Sequence, residues 1–242
     1  KDMEKFKYQS TSSENQVMEF NFEKDIKFEN VAFSYKENSS LDSDLVLKNI
    51  SLKIQKGSKV GIVGGSGTGK STFLDLLMGL IYQQNGTILV DGQKIKNVKT
   101  QWQKNIGCVP QDVFILDDTL KRNIAFGLPN ELIDEQKVNN ALESANLMQF
   151  KDSLEAGLET LLGETGSRLS GGQKQRIGIA RALYTNPNIL IFDEATNALD
   201  LQTEKKIINE IFSVKRNNTI ICVSHNRKNL AHCDSVYEIK NK

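Results

Sequence analysis

No part of this sequence is apolar for long enough to cross a bilayer. The longest apolar runs, such as Ile189-Leu190-Ile191-Phe192, are the size of a strand. No leader of the secretory kind opens it. Neither sign of charge is in excess: Lys and Arg number 31 against 30 Asp and Glu. That balance argues against a dedicated nucleic-acid binder, whose footprint is a basic stripe. Cysteine is scarce. Cys108, Cys222 and Cys233 lie far apart in sequence, form no CxxC pair and cannot all pair with one another. They read as reduced, mostly buried thiols of a cytosolic protein. Internal repeats and low-complexity tracts are absent. The chain is therefore expected to be soluble. It begins at Lys1 without a Met, which points to a fragment of something larger, with any membrane part outside these 242 residues.

What is there is enough for one large domain with a sizeable core. Residues 1–24 are polar and read as a linker or arm, and 25–242 as the folded domain. Ile26 to Tyr35 alternates apolar and polar residues, as does Ile50 to Ile54, so both predict half-buried strands. Lys36 to Leu45 reads as a loop. Lys59 to Val63 is a short apolar strand running into glycines, and Lys70 to Leu80 a mostly buried helix. Val138, Ala141, Leu142 and Ala145 have helical spacing in a segment starting near Asp134, as do Ile207, Ile208, Ile211 and Phe212 after Thr203. Thr219 to Val223 and Val236 to Ile239 predict further strands. Strands alternating with helices imply an α/β fold with a mainly parallel sheet. Trp102 and the Leu and Phe positions of the middle region read as core.

Gly64, Gly65, Ser66, Gly67, Thr68, Gly69, Lys70 and Ser71 fit the phosphate-loop pattern GxxxxGK[ST] in full, after a strand and opening a helix. The glycines let successive N–H groups turn inward as an anion nest, and the helix adds its positive end. Lys70 is expected to reach the β- and γ-phosphates, Ser71 to ligate Mg²⁺, and Thr72 to bond the α-phosphate. The loop alone says only that a nucleoside triphosphate binds. A second acidic element follows another apolar strand, at Asp193 and Glu194. Two adjacent acids after four apolar residues are costly to bury without a cation or water network. Asp193 is expected to hold Mg²⁺ and Glu194 to polarise the attacking water as general base.

Leu169-Ser170-Gly171-Gly172-Gln173 then resembles the signature loop of ABC ATPases, and the remaining elements follow in that family's order from about Ile26 to the end. Tyr35 resembles the aromatic residue that stacks on adenine; alone, a tyrosine ending a strand more often packs. It is expected to make little polar contact. Gln111 resembles the Q-loop glutamine, which also ligates Mg²⁺, Ala198-Leu199-Asp200 the D-loop, and His225 the switch histidine that contacts the γ-phosphate. His232 reads as structural or solvent-facing.

The resemblance implies a P-loop NTPase core of mainly parallel sheet, an antiparallel β subdomain and an inserted helical subdomain over about 98–172. It implies ATP and Mg²⁺ as cofactors. Ser170, with its free hydroxyl, and the amides of Gly171 and Gly172 precede a helix expected to begin near Gln173, and with Gln173 they form a second anion site. In the family that site completes the first across a head-to-tail dimer, so the expected partner is a second such domain, with no nucleic acid.

Val109 to Ile124, ending Thr119-x-x-x-Asn123-Ile124, and Gly163-Glu164-Thr165-Gly166 resemble exporter segments that touch a transmembrane domain. Thr165 stands where Arg is usual, Asn197 where Ser is usual, and Asn226 follows His225 where Arg is common. Glu194 to Asp200 resembles lipid-linked oligosaccharide flippase relatives. The implied function is the motor domain of an exporter at the cytoplasmic face of the cell membrane, joined to the transmembrane domain of its parent chain. A soluble ABC ATPase is the alternative. DNA-repair heads carry a coiled-coil insertion before the signature and translation factors carry two ATPase domains, and neither is seen.

Overall fold

The computed structural model describes residues 20–36, 44–167, 169–195 and 218–240. The D-loop, Asn197, the helix expected after Thr203 and most of the polar arm lie outside the described residues.

Three strands open the chain: β1 Asp25–Phe33, β2 Leu47–Gln55 and β3 Lys59–Val63. Then come helix α1 Lys70–Leu77, strands β4 Asn85–Val90 and β5 Gln93–Lys94, helix α2 Lys99–Lys104 and strand β6 Ile106–Val109. Helices α3 Leu120–Ile124, α4 Glu135–Ser144, α5 Met148–Asp152 and α6 Gly171–Tyr184 follow. Strands β7 Ile189–Asp193, β8 Thr219–Ser224 and β9 Ser235–Glu238 close the order. They form two sheets. One is four-stranded and antiparallel, in the order β2-β1-β4-β5. The other is five-stranded and parallel, in the order β6-β7-β8-β3-β9. The α/β class expected from the alternating elements is the class found. Within 98–172, β6 is an edge strand of the parallel sheet, and α3 to α5 follow it.

Two apolar clusters hold the layers together. In one, Phe28 of the antiparallel sheet stacks on Phe73 of α1 at 4.9 Å between ring centres. Trp102, fully buried, meets Phe22 edge-on at 5.7 Å and donates from Nε1 to Leu77 O at 2.7 Å. The other packs α3, α4 and α6 against the opposite side of β6 and β7. Residues 20–24, part of the stretch read as an arm, lie on this body. Phe22 is buried, and the backbone N–H groups of Glu23, Lys24 and Asp25 donate to the Asp91 carboxylate at 2.6, 2.8 and 2.9 Å.

Several elements depart from the sequence reading. The helix expected to reach Leu80 stops at Leu77. Gly79 turns left-handed (φ 65°), its N–H donates to Leu76 O, and Leu80 N–H donates to Asp75 O at 2.8 Å. This is the Schellman ending that glycine favours, and it leaves Leu80 exposed. The middle region is not uniformly core: Phe114, Phe126, Leu132 and Leu161 are exposed. Strands β4 to β6 were not read from the sequence, although β4 and β5 carried a local signal. Asp91 and Gly92, with φ of 49° and 80°, make the two-residue turn that an Asp-Gly pair favours.

Candidate nucleotide site

The phosphate loop leaves the carboxyl end of β3, where ligands of open parallel sheets bind. Gly69, with φ 98°, sits just before α1, and a Cβ there would lie 2.8 Å from Leu47 Cδ2. Only glycine meets both demands. Thr68 Oγ1 donates to Gly65 O at 3.0 Å, which closes the loop on itself. Ser66 and Ser71 are exposed. Lys70 bends back over the loop and donates from Nζ to Gly64 O and Gly65 O at 3.0 and 2.9 Å.

Strand order brings the distant candidates to the same edge. β7, β8 and β3 are neighbours, so Asp193, His225 and the phosphate loop emerge side by side; Gln111 follows β6 and is exposed. Glu194, largely buried, lies 3.8 Å from Lys70 Nζ through Oε1 and 3.2 Å from His225 Nδ1 through Oε2. Its backbone is left-handed (φ 51°), and its N–H donates to Val223 O at 3.0 Å. A non-glycine residue held this way costs about 1–3 kcal/mol and is concentrated at working sites. No local sequence signal marks it.

Burial, and then the neighbouring Glu194 charge, raise the Asp193 pKa, while Lys70 opposes them. A half-buried carboxylate beside a second carboxylate suits a cation. Among the described residues no group of three or more His, Cys, Asp and Glu side chains could cage a metal. The Ser71 hydroxyl, the Gln111 side-chain carbonyl and the Asp193 carboxylate are oxygen donors of the kind a hard cation takes.

Tyr35 is 63% exposed; its ring stands edge-on to Phe33 at 4.9 Å between centres, and its hydroxyl shares a 3.0 Å hydrogen bond with Thr72 Oγ1. Thr72 is thus buried and already partnered. The hydroxyl read as free at Ser170 also has a partner. Ser170 caps α6, its Oγ accepting from Gln173 N at 3.2 Å, while Gln173 Oε1 accepts from Ser170 N at 2.8 Å. This reciprocal pair is a capping box, and the Ser170 O–H proton remains available to donate. Among the described residues, no hydrogen bond or ion pair joins Ser170, Gly171, Gly172 or Gln173 to the phosphate loop, Glu194 or His225.

Sequence reasoning missed the residues that brace the region between. Asn123, fully buried, accepts from Leu116 N at 2.9 Å and donates to Leu116 O and Thr119 O at 3.1 Å each. Arg181 of α6 donates to Asn123 O at 2.9 Å and Phe114 O at 3.0 Å, and lies 4.7 Å from the Phe126 ring centre. The Thr-x-x-x-Asn-Ile pattern was the available signal: Thr119 caps α3, its Oγ1 accepting from Arg122 N at 3.1 Å. Asn226, the departure after His225, caps the next turn, its Oδ1 accepting from Lys228 N at 3.0 Å. Lys174 Nζ donates to the carbonyl of Thr165, whose φ is 53°.

A parallel sheet with a phosphate loop after one strand and an acidic pair after another defines a P-loop nucleotide-binding domain. A family model described as ABC transporter matches residues 47–197, more than half of the chain. The chain belongs to the ABC transporter family and is an ATP-binding domain of the exporter kind. It is 43% identical over 215 residues to an export ATP-binding/permease protein of Rickettsia prowazekii (strain Madrid E), covering 88% of this chain and 36% of that protein. It is 39% identical over 213 residues to the leukotoxin translocation ATP-binding protein LktB of Mannheimia glucosida, covering 88% of this chain and 29% of that protein. A bacterial Atm1-family ABC exporter solved with ATP bound superposes with a TM-score of 0.82 at 38% identity, covering 90% of this chain and 37% of that one. The chain thus spans about a third of the length of these proteins. No helix among the described residues is long and apolar enough to cross a membrane.

Proposed function

We propose that this chain hydrolyses ATP as the motor domain of an exporter. It works head-to-tail with a second such domain and drives a transmembrane domain of its parent chain from the cytoplasmic face of the membrane. The observation that carries the reading is the convergence of Lys70, Asp193, Glu194 and His225 on one edge of the parallel sheet. The phosphate-loop amides and Lys70 bind the β- and γ-phosphates. Glu194 takes a proton from the attacking water, and His225, beside it, orients the γ-phosphate. Ser71, Gln111 and Asp193 would hold Mg²⁺, which neutralises charge on the phosphate oxygens. Ser170 and the amides of Gly171, Gly172 and Gln173 face the γ-phosphate held by the other domain. Exposed Phe114 and Phe126, braced by Arg181, give the transmembrane domain an ordered apolar contact.

Complementation tests the head-to-tail pairing. Ser170→Arg and Lys70→Ala chains each lack a complete site when alone. Mixed, they form a heterodimer with one intact phosphate loop facing one intact signature. ATPase activity is expected to reappear on mixing; two folded proteins that stay inactive together would overturn the pairing.

The base site is read by a second pair of variants. Tyr35→Ala removes the ring and is expected to weaken ATP binding by about 1–3 kcal/mol. Tyr35→Phe keeps the ring and loses only the bond to Thr72, worth about 0.5–1.5 kcal/mol. Equal losses by calorimetry would assign the role to the hydroxyl.

A further inference from the structure

The segment that carries Gln111 is laid along one helix, out and back. β6 lies against the C-terminal half of α6, where a Cβ at Gly107 would come within 2.5 Å of Ala182 O. The chain then runs toward the N-terminal half, and the buried Gln175 donates from Nε2 to Pro110 O at 3.4 Å. It turns at Gln111 and Asp112, both exposed, and comes back. Val113 lies over Gly178, and Arg181 donates to Phe114 O at 3.0 Å. Both limbs of the excursion are thus held by α6, the helix that Ser170 caps. Gln111 stands at the tip, between the contacts at Pro110 and Val113.

Gly178 is the tight point. It is buried inside α6, at a position where alanine would favour the helix more. What the missing side chain provides is room. A Cβ there would lie 2.5 Å from Val113 Cγ2, 3.1 Å from Cγ1 and 3.4 Å from Cβ. Non-bonded carbon atoms settle at about 3.5–4.0 Å, and a branched side chain such as Val113 has little freedom to turn aside. An alanine at 178 therefore pushes Val113, and the backbone that carries it, away from α6 by about 1 Å.

We propose that Gly178, with Gln175, is a positioning residue for Gln111: the close approach of Val113 to α6 sets where the Gln111 side-chain oxygen stands relative to the cation. The inference deepens the ATPase reading and rests on the role proposed there for Gln111. Gly178 and Gln175 do not themselves touch nucleotide or metal. They act through the backbone on either side of Gln111.

The test compares wild type, Gly178→Ala, the double variant Gly178→Ala with Val113→Ala, and Gln111→Ala. Crystal structures of the ligand-free proteins should show Val113 and Gln111 moved by about 1 Å from α6 in Gly178→Ala. In the double variant, which lacks both crowded Cγ atoms, they should return. ATP turnover of Gly178→Ala should fall by about tenfold to a hundredfold, as a misplacement of that size causes. The Mg²⁺ concentration for half-maximal turnover should rise by about tenfold, the usual result of disturbing what orients a metal ligand. Affinity for ATP without Mg²⁺ should not change, because Lys70 and the loop amides are untouched. The double variant should recover both turnover and Mg²⁺ dependence, whereas a second truncation in a merely weakened core would deepen the defect. Gln175→Met keeps the bulk and removes the bond to Pro110. It should shift both values in the same direction, and it decides the question if Gly178→Ala does not fold. A Val113 that turns aside while Gln111 stays in place overturns the positioning. So do unchanged turnover and Mg²⁺ dependence in folded Gly178→Ala or Gln175→Met. Gln111→Ala with the Mg²⁺ dependence of wild type overturns the role of Gln111 itself, and a wild-type chain that never hydrolyses ATP overturns the ATPase reading. In either case the ligand-free structures still decide whether Gly178 places the segment.

Discussion

Glu194→Gln is expected to lower ATP turnover by about 10²–10⁴-fold, the usual cost of losing a general base, while ATP binding survives. The side chain is largely buried between Lys70 Nζ at 3.8 Å and His225 Nδ1 at 3.2 Å. Glutamine keeps its size and its place in that gap but accepts no proton. It also removes one of the charges that, after burial, raise the Asp193 pKa. ATP that binds and is not cleaved remains between two chains. Wild type with ATP and Mg²⁺ is expected to run as a monomer on sizing, and Glu194→Gln as a dimer that retains ATP. ADP should not produce that dimer, because it lacks the γ-phosphate that Ser170 and the following amides must reach. A Glu194→Gln protein turning over at the wild-type rate would remove Glu194 from its role and direct attention to His225.

Lys70→Ala is expected to weaken ATP binding by about 2–5 kcal/mol, the range for truncating one member of a buried, hydrogen-bonded charge pair. That is roughly 30- to 5,000-fold in Kd. Lys70 already sits over the loop on the carbonyls of Gly64 and Gly65, so it reaches a phosphate by exchanging those neutral acceptors for charged ones, which bind about twice as strongly. Calorimetric titration measures the loss, and thermal unfolding of the ligand-free variant shows whether the fold is intact. An unchanged Kd would break the assignment of the phosphate loop.

The features legible beforehand share a short range. The glycine spacing before Lys70 and the strand ahead of it lie within one turn of chain. So does the start of α4 near Asp134, whose Oδ1 accepts from Lys137 N at 3.1 Å. The Asp91-Gly92 hairpin was equally local and was passed over. The Leu80 error had the same scale: a glycine one residue earlier ends the helix, and helical spacing of leucines does not by itself show where a helix stops.

The sequence by itself determined the α/β class, the phosphate loop, the acidic pair and the order of motifs that marks the family. Each depends on a residue's immediate neighbours, through backbone freedom, capping or period. Only the tertiary structure decided which of those motifs meet. Glu194 reaches both Lys70 and His225 because β7, β8 and β3 are adjacent, an order not written in any local stretch. Tyr35 likewise meets Thr72 only through packing of segments distant in sequence. Phe114 and Phe126 stay exposed while Trp102 is buried. An apolar side chain favours any dry surface, and the packing of layers determines which apolar residues find one.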